Sequence, residues 1–402
     1  MKRSGFQSFF SHGTAALLLF VGWLSPMPGE KSSDRAVADE SPVTAELNQW
    51  IEQLTDSGFA VRMDAQKKLL AAGMSAEPIL AGVAADSSNP ARQQVSQLLL
   101  ERIRDREFQR RLELFVRDPS PEQAASMPEG ARYLELVGDS PEDILLFLDL
   151  IQADPQLYRA RLFDQKQFES LLEQRSTELN ALRATESTFP SRAYLNLLLL
   201  AGHPGTRLPR ATSTNISDAL RDRRLSQIVA DGVRRAVFVD LLNVWIERPA
   251  INHEIPLAFA TMHKLAAGRT VSEQVLRQKT RPGEMFYALQ YLYQHGNAED
   301  LPLIETLFTV ETKIWPAGTS QTQRVLENGH VAPANYSVLL QDVAMAVALR
   351  LRGQALEKSG FEAVHATGPA LPSLDTLGFS SPASRQQTQD RYQSLFLKPV
   401  NE

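Results

Sequence analysis

Asn89-Pro90, Ser140-Pro141 and Asp154-Pro155 each place a helix-capping residue directly before a proline. A short polar side chain at such a point accepts a free N–H of the first helical turn. Proline suits the first helical position because the N–H it lacks would have had no partner there. Behind each pair the apolar residues return at helical intervals. Val95, Leu98, Leu99 and Ile103 follow the first, the run Ile144 to Ile151 the second, and Leu157, Leu162 and Phe168 the third. Earlier, Phe59, Met63 and Leu70 share one helical face, with Asp56 and Ser57 before them and Gly73 behind, where a left-handed cap needs glycine. Another helix opens near Pro78, and others are expected over 191–201, 216–247, 255–267, 284–295, 301–309 and 337–351. In the long one Val233, Val237, Leu241 and Val244 form a stripe. One apolar face per helix and short connections predict an all-α fold of antiparallel helix pairs stacked on one another.

The pattern is interrupted in four places. Residues 1–38 read as a secretory signal: Lys2 and Arg3, then the apolar run Ala15 to Leu24, then Pro26, Pro28 and Gly29. Ten apolar residues fall short of the about 20 that span a bilayer core. Cleavage is expected near Gly29 or after Ala36-Val37-Ala38, and an uncleaved anchor is the alternative. An N-terminal helical unit then covers 39–117. Residues 118–130 hold three prolines and no apolar period, and read as a linker to a helical domain over 131–312. Within a connecting loop over 313–336, Asn328-Gly329 lies between segments with β-branched residues and predicts a small β-hairpin near 321–332. Residues 337–402 are expected to form a helix, then an irregular Pro-, Gly- and Ser-rich wrap, with a closing helix from Arg385 to Leu395.

Chemistry is harder to find. There is no cysteine, which excludes disulfides, cysteine metal sites, a thiol nucleophile and a lipidated cysteine. His253 is followed by Glu254, but position 257 is Leu, so the His-Glu-x-x-His zinc motif fails, and His263 is too far along a helix to share an ion. No phosphate-binding loop, nucleophile elbow, dinucleotide fold or calcium loop occurs, so no cofactor and no metal are expected. Adjacent carboxylates such as Glu142-Asp143 and Glu299-Asp300 read as helix N-terminal charges. Arg207, Arg210, Arg221, Arg223, Arg224, Arg234 and Arg235 form the one charge anomaly. They read either as an anion-binding face or as a solvated surface paired with Asp218, Asp222 and Asp231. Arginine outnumbers lysine 32 to 10 throughout, and the net charge is −5, so no nucleic-acid partner is expected. Phe286, Tyr287, Tyr291 and Tyr293 read as packing between helices rather than a stacking platform. Trp315, beside Pro316, and the arginines Arg221, Arg223 and Arg224 are the candidate binding residues.

Two stretches resemble HEAT or armadillo-type units. One runs from Phe59-Ala60-Val61-Arg62 through Lys67-Lys68-Leu69 and Gly73 to Pro78-Ile79-Leu80, the other from Gly296 to Glu305. A wider pattern comprises Gly138 to Pro141 with Leu145 to Leu148, Ala193 to His203, Asp300 to Ile304, Gln341 to Leu349, Gly353-Gln354 and Leu377 to Phe379. It is similar to exported HEAT-like helical-repeat proteins of planctomycete-type bacteria. Arg350-Leu351-Arg352 is basic where that pattern often carries a His-Leu-Thr-like stretch. The resemblance implies an α-solenoid and export to the periplasm or beyond, and no chemistry or site residue. The expected function is therefore a non-enzymatic scaffold that binds a protein partner along an extended groove and the 313–336 loop. The alternatives are an exported hydrolase or glycan-binding protein with scattered carboxylates, and a structural envelope protein.

Overall fold

A computed structural model describes residues 42–249, 251–315, 336–364 and 371–396. The signal segment, the Asn328-Gly329 hairpin and the side chain of Trp315 lie outside the described residues. The chain is all-α. Its N-terminal part contains α1 (Pro42–Gln53), α2 (Phe59–Ala72), α3 (Glu77–Ala85) and α4 (Pro90–Arg117). Then come α5 (Pro121–Ser126), α6 (Gly130–Val137), α7 (Pro141–Ala153), α8 (Pro155–Phe163), α9 (Gln165–Thr185) and α10 (Ser191–Ala201). The next stretch holds α11 (Arg210–Asp218), α12 (Arg223–Asp231), α13 (Arg235–Ile246), α14 (Glu254–His263), α15 (Ala267–Gln278), α16 (Pro282–His295) and α17 (Leu301–Glu305). After α17 follow β1 (Lys313–Trp315), β2 (Val338–Leu339), α18 (Leu340–Leu351) and α19 (Pro382–Phe396).

The capping residues act as their chemistry predicts. The side chains of Asn89, Ser140 and Asp154 accept from the backbone N–H of Arg92, Asp143 and Leu157 at 3.1, 3.2 and 3.4 Å. Sequence neighbours pack together, α1 on α2, α3 on α4, α8 on α9 and α15 on α16, and α16 also touches α14 and α18. The core falls into two clusters. One joins Leu47, Ile51, Leu69, Leu80, Leu99 and Ile103. A larger one extends from Phe108 to Tyr392. Helix α4 belongs to both, with Leu99 and Ile103 in the first and Phe108 and Phe115 in the second.

Several expectations need correction. Residues 118–130 are not a spacer: Ser120-Pro121 starts α5 with the same cap-and-proline signature, and Ala124 and Met127 are buried in the main core. Gly130 sits so close that a Cβ there would come within 1.7 Å of the Ala124 carbonyl oxygen. The stripe on α2 is reversed. Phe59 and Met63 are 70% and 47% exposed, while Ala65 and Leu69 face α1 and α4. On α4, Leu98 points outward and Leu99, Leu100 and Ile103 inward. The long helix expected over 216–247 breaks twice, because Asp222 caps a new start and Gly232 ends α12, leaving Val233 fully exposed between helices. At the end of α10 the carbonyls are met by Arg132, which donates to Leu199 at 2.6 Å, and by Arg248, which donates to Ala201, His203 and Thr206. Burial, and then the neighbouring arginines, push the His203 imidazole below its usual pKa.

The C-terminal part is held by buried charge. Arg385 of α19 grips Asp342 of α18 with two hydrogen bonds of 2.7 and 3.1 Å, and Asp342 also accepts from Leu339 N–H at 2.8 Å. Arg352 donates to Tyr392 and Glu305 at 2.8 and 2.9 Å. Strands β1 and β2 pair antiparallel, Lys313 opposite Leu339 and Trp315 opposite Val338, at the two ends of the loop expected to carry the hairpin.

Candidate functional site

The surface feature that combines an apolar floor with unpaired charge is a groove between α11–α12 on one side and α14 with the start of α16 on the other. Each wall follows from local sequence. Helix α12 buries Leu225 and Val229, so Arg223, Ser226, Gln227, Ala230 and Asp231 turn outward. Helix α14 buries Leu257, Phe259, Ala260 and Thr261, yet it carries a second apolar stripe, Ile255, Ala258 and Met262, at i, i+3 and i+7. Among the described residues no helix lies over that stripe, and Met262 is 68% exposed.

Two compartments make up the groove. The apolar one, about 660 Å³, is floored by Leu220, Ile255, Ala258, Phe259 and Met262 and edged by Arg221, Arg223, Asp231, His263 and Tyr287. The polar one, about 1000 Å³, is lined by Arg210, Ser213, Thr214, Ser217, Asp218, Asn252, Thr280, Arg281 and Glu284 over Leu208 and Ile251. Arg221, Glu254 and Ile255 line both, so the two compartments are continuous. His263 packs its ring 4.3 Å from that of Phe259, and among the described residues its Nε2 has no hydrogen-bond partner. Burial, and secondarily Arg235, push its pKa down, so the neutral imidazole is favoured.

Two of the four carboxylates that line the groove already have partners. Glu284 is buried and spends its two oxygens on the N–H groups of His253 and Arg281, at 3.1 and 3.4 Å, tying the starts of α14 and α16 together. Asp218 pairs with Arg221 at 3.1 Å. Each oxygen of Glu284 holds one backbone donor, so this side chain fastens two helix starts at the edge of the polar compartment. Among the described residues no cluster of three His, Asp or Glu side chains could hold a metal.

The candidate residues separate. Arg221 and Arg223 both reach the groove. Arg224 turns away: it grips Asp222 at 2.6 and 3.0 Å and donates to the carbonyls of Arg183, Glu186 and Thr188. Those bonds occupy its guanidinium and hold Asp222 down to about 2, with the Arg224 hydrogen bond as the largest cause. Trp315 ends β1. Tyr291 and Tyr293 are buried, with the Tyr291 hydroxyl on the Leu265 carbonyl at 2.8 Å, whereas Tyr287 reaches the groove edge. Sequence reasoning missed Met262, Ile255 and Arg281. The available signal was the second apolar stripe on α14, since a helix with two such faces needs two neighbours to cover them. Another cavity, about 760 Å³ between α8–α9 and α10, contains the Asp154–Arg175–Glu178 network at 2.6 and 2.7 Å, so much of its charge is already paired.

The chain matches no family model, no curated protein and no solved structure.

Proposed function

We propose that this chain is a non-enzymatic scaffold whose helices stack in HEAT-like pairs and which binds a protein partner along the α11–α12/α14–α16 groove. The carrying observation is the uncovered stripe Ile255, Ala258 and Met262 lying beside Arg221 and Arg223. An apolar floor with a polar, charged rim is the usual anatomy of a protein interface, and exposed methionine adapts its shape to a partner. The signal-like N-terminus supports export, and with it a partner in the periplasm or outside the cell. The resemblance to exported helical-repeat proteins of planctomycete-type bacteria supports the same reading.

The test is quantitative affinity capture with the whole exported chain against its Met262→Asp and Val233→Asp variants. Both positions are exposed, so neither change disturbs the core. A partner lost with Met262→Asp and kept with Val233→Asp is expected. Equal capture by all three proteins overturns the groove as the binding surface.

A further inference from the structure

We infer that the occupant of the apolar compartment is a second copy of this chain, packed face to face about a two-fold axis that crosses α12 and α14 at right angles. The inference rests on the binding function proposed above and names its partner.

Charge placement selects the copy. The whole groove is lined by four arginines, Arg210, Arg221, Arg223 and Arg281, and four carboxylates, Asp218, Asp231, Glu254 and Glu284, so it favours neither an acidic nor a basic partner. Along the apolar compartment, however, the signs are ordered. Helices α12 and α14 run the same way across it. At their starts Arg221 and Glu254 line both compartments together, and past their ends Arg235 stands close enough to His263 to disfavour its protonation. The starting end therefore carries Arg223 on α12 and Glu254 on α14. The finishing end carries Asp231 on α12 and Lys264 just behind α14. Among the described residues none of these four forms an ion pair, whereas their neighbours Arg221 and Arg224 are paired with Asp218 and Asp222. Two such faces related by this axis lie start over finish. Arg223 meets Asp231 of the second copy, Glu254 meets Lys264 of the second copy, and the symmetry makes each pair twice.

The apolar stripe agrees. Antiparallel packing of α14 on its copy sets Ile255 against Met262 of the second copy and brings the two Ala258 side chains near the axis, where a small residue lets helices approach. Met262, an exposed and adaptable side chain, then enters the neighbouring compartment of about 660 Å³ beside Leu220 and Ile255. A two-fold axis along the helices would also oppose unlike charges, Arg223 to Glu254 and Asp231 to Lys264. It would lay the apolar stripe on Ser226 and Gln227 of α12, and burying those polar groups without partners is costly.

Sedimentation velocity of the full chain from about 1 to 200 µM is expected to show a reversible monomer–dimer equilibrium. Met262→Asp weakens it at least about tenfold, with circular dichroism unchanged. Glu254→Lys alone and Lys264→Glu alone each oppose like charges twice and weaken the dimer about tenfold, more at low salt. Mixed in equal amounts, these two variants restore it as a heterodimer, because one is then positive and the other negative at both positions. A chain that stays monomeric throughout overturns the inference. So does a dimer indifferent to Met262→Asp or to the single charge variants, or a mixture no stronger than its components. If the chain stays monomeric but affinity capture of another protein still depends on Met262, the binding function stands and this inference alone falls. If neither a dimer nor a capture depends on Met262, both fall.

Discussion

Asp342 shows how one residue carries both fold and pH dependence. Its side chain is 0% exposed, and burial pushes its pKa up to about 6 against the pull of Arg385. The folded chain then holds this proton more tightly than the unfolded chain, where an aspartate titrates near 3.8. Its contribution to stability is complete below pH about 4 and falls away as pH rises through 6, by on the order of 3 kcal/mol for a shift of that size. Asp222 runs the other way. Arg224 holds it at about 2, so its contribution is present above pH about 4 and is lost toward pH 2. Denaturant midpoints from pH 4 to 7 should therefore decline in the wild type and flatten in Asp342→Asn; a flat wild-type profile would sink the burial argument. Arg385→Met leaves the buried carboxylate unpaired, at an expected cost of about 3–5 kcal/mol at pH 7 and less at pH 4.5, read by the same unfolding curves. At this scale the caps Asn89, Ser140 and Asp154 were legible because capping is local. The Arg385–Asp342 and Arg224 contacts were not, since their partners lie about 40 residues away in the chain.

Helices were legible where periodicity was strong, but periodicity says that a face exists and not which neighbour covers it. On α2 the residues Phe59 and Met63 looked like the buried stripe; contacts with α1 and α4 instead selected Ala65 and Leu69. The break at Gly232 was hidden because Val229, Val233 and Val237 kept the helical interval across it. Close approach between elements is equally invisible to composition. Gly268 of α15 lies under the ring of Tyr291 on α16, where a Cβ would come within 2.2 Å. Gly268→Ala should destabilise the chain by about 1–3 kcal/mol through overpacking. Gly82 of α3 meets nothing within 4 Å, so Gly82→Ala should be neutral or stabilise by up to about 1 kcal/mol. A lower denaturant midpoint at unchanged slope for the first, and not the second, is the outcome that supports this packing; equal effects would contradict it.

The whole molecule has two cores and one helix, α4, running through both. A small cluster has less buried area to set against chain entropy, so the N-terminal cluster is expected to unfold first. Trp50 packs on that cluster and Trp245 is buried in the main one. With each as the only tryptophan, urea unfolding should give separate transitions, Trp50 at the lower midpoint. Coincident curves would mean that α4 couples the cores into one cooperative unit. The groove belongs to the main core, where α11, α12, α14 and α16 meet, and no single segment of sequence contains it. Arg221 and Arg223 pointed toward one wall; the other became visible only when α14 was placed with its second apolar stripe uncovered.

The account depends most on the claim that this groove is where a partner sits. A photo-crosslinking amino acid at position 262, in the full chain in its native host, tests that directly. The account predicts one dominant covalent adduct from position 262 and none from the exposed position 233. No adduct at 262, or the same adducts from both positions, would contradict it.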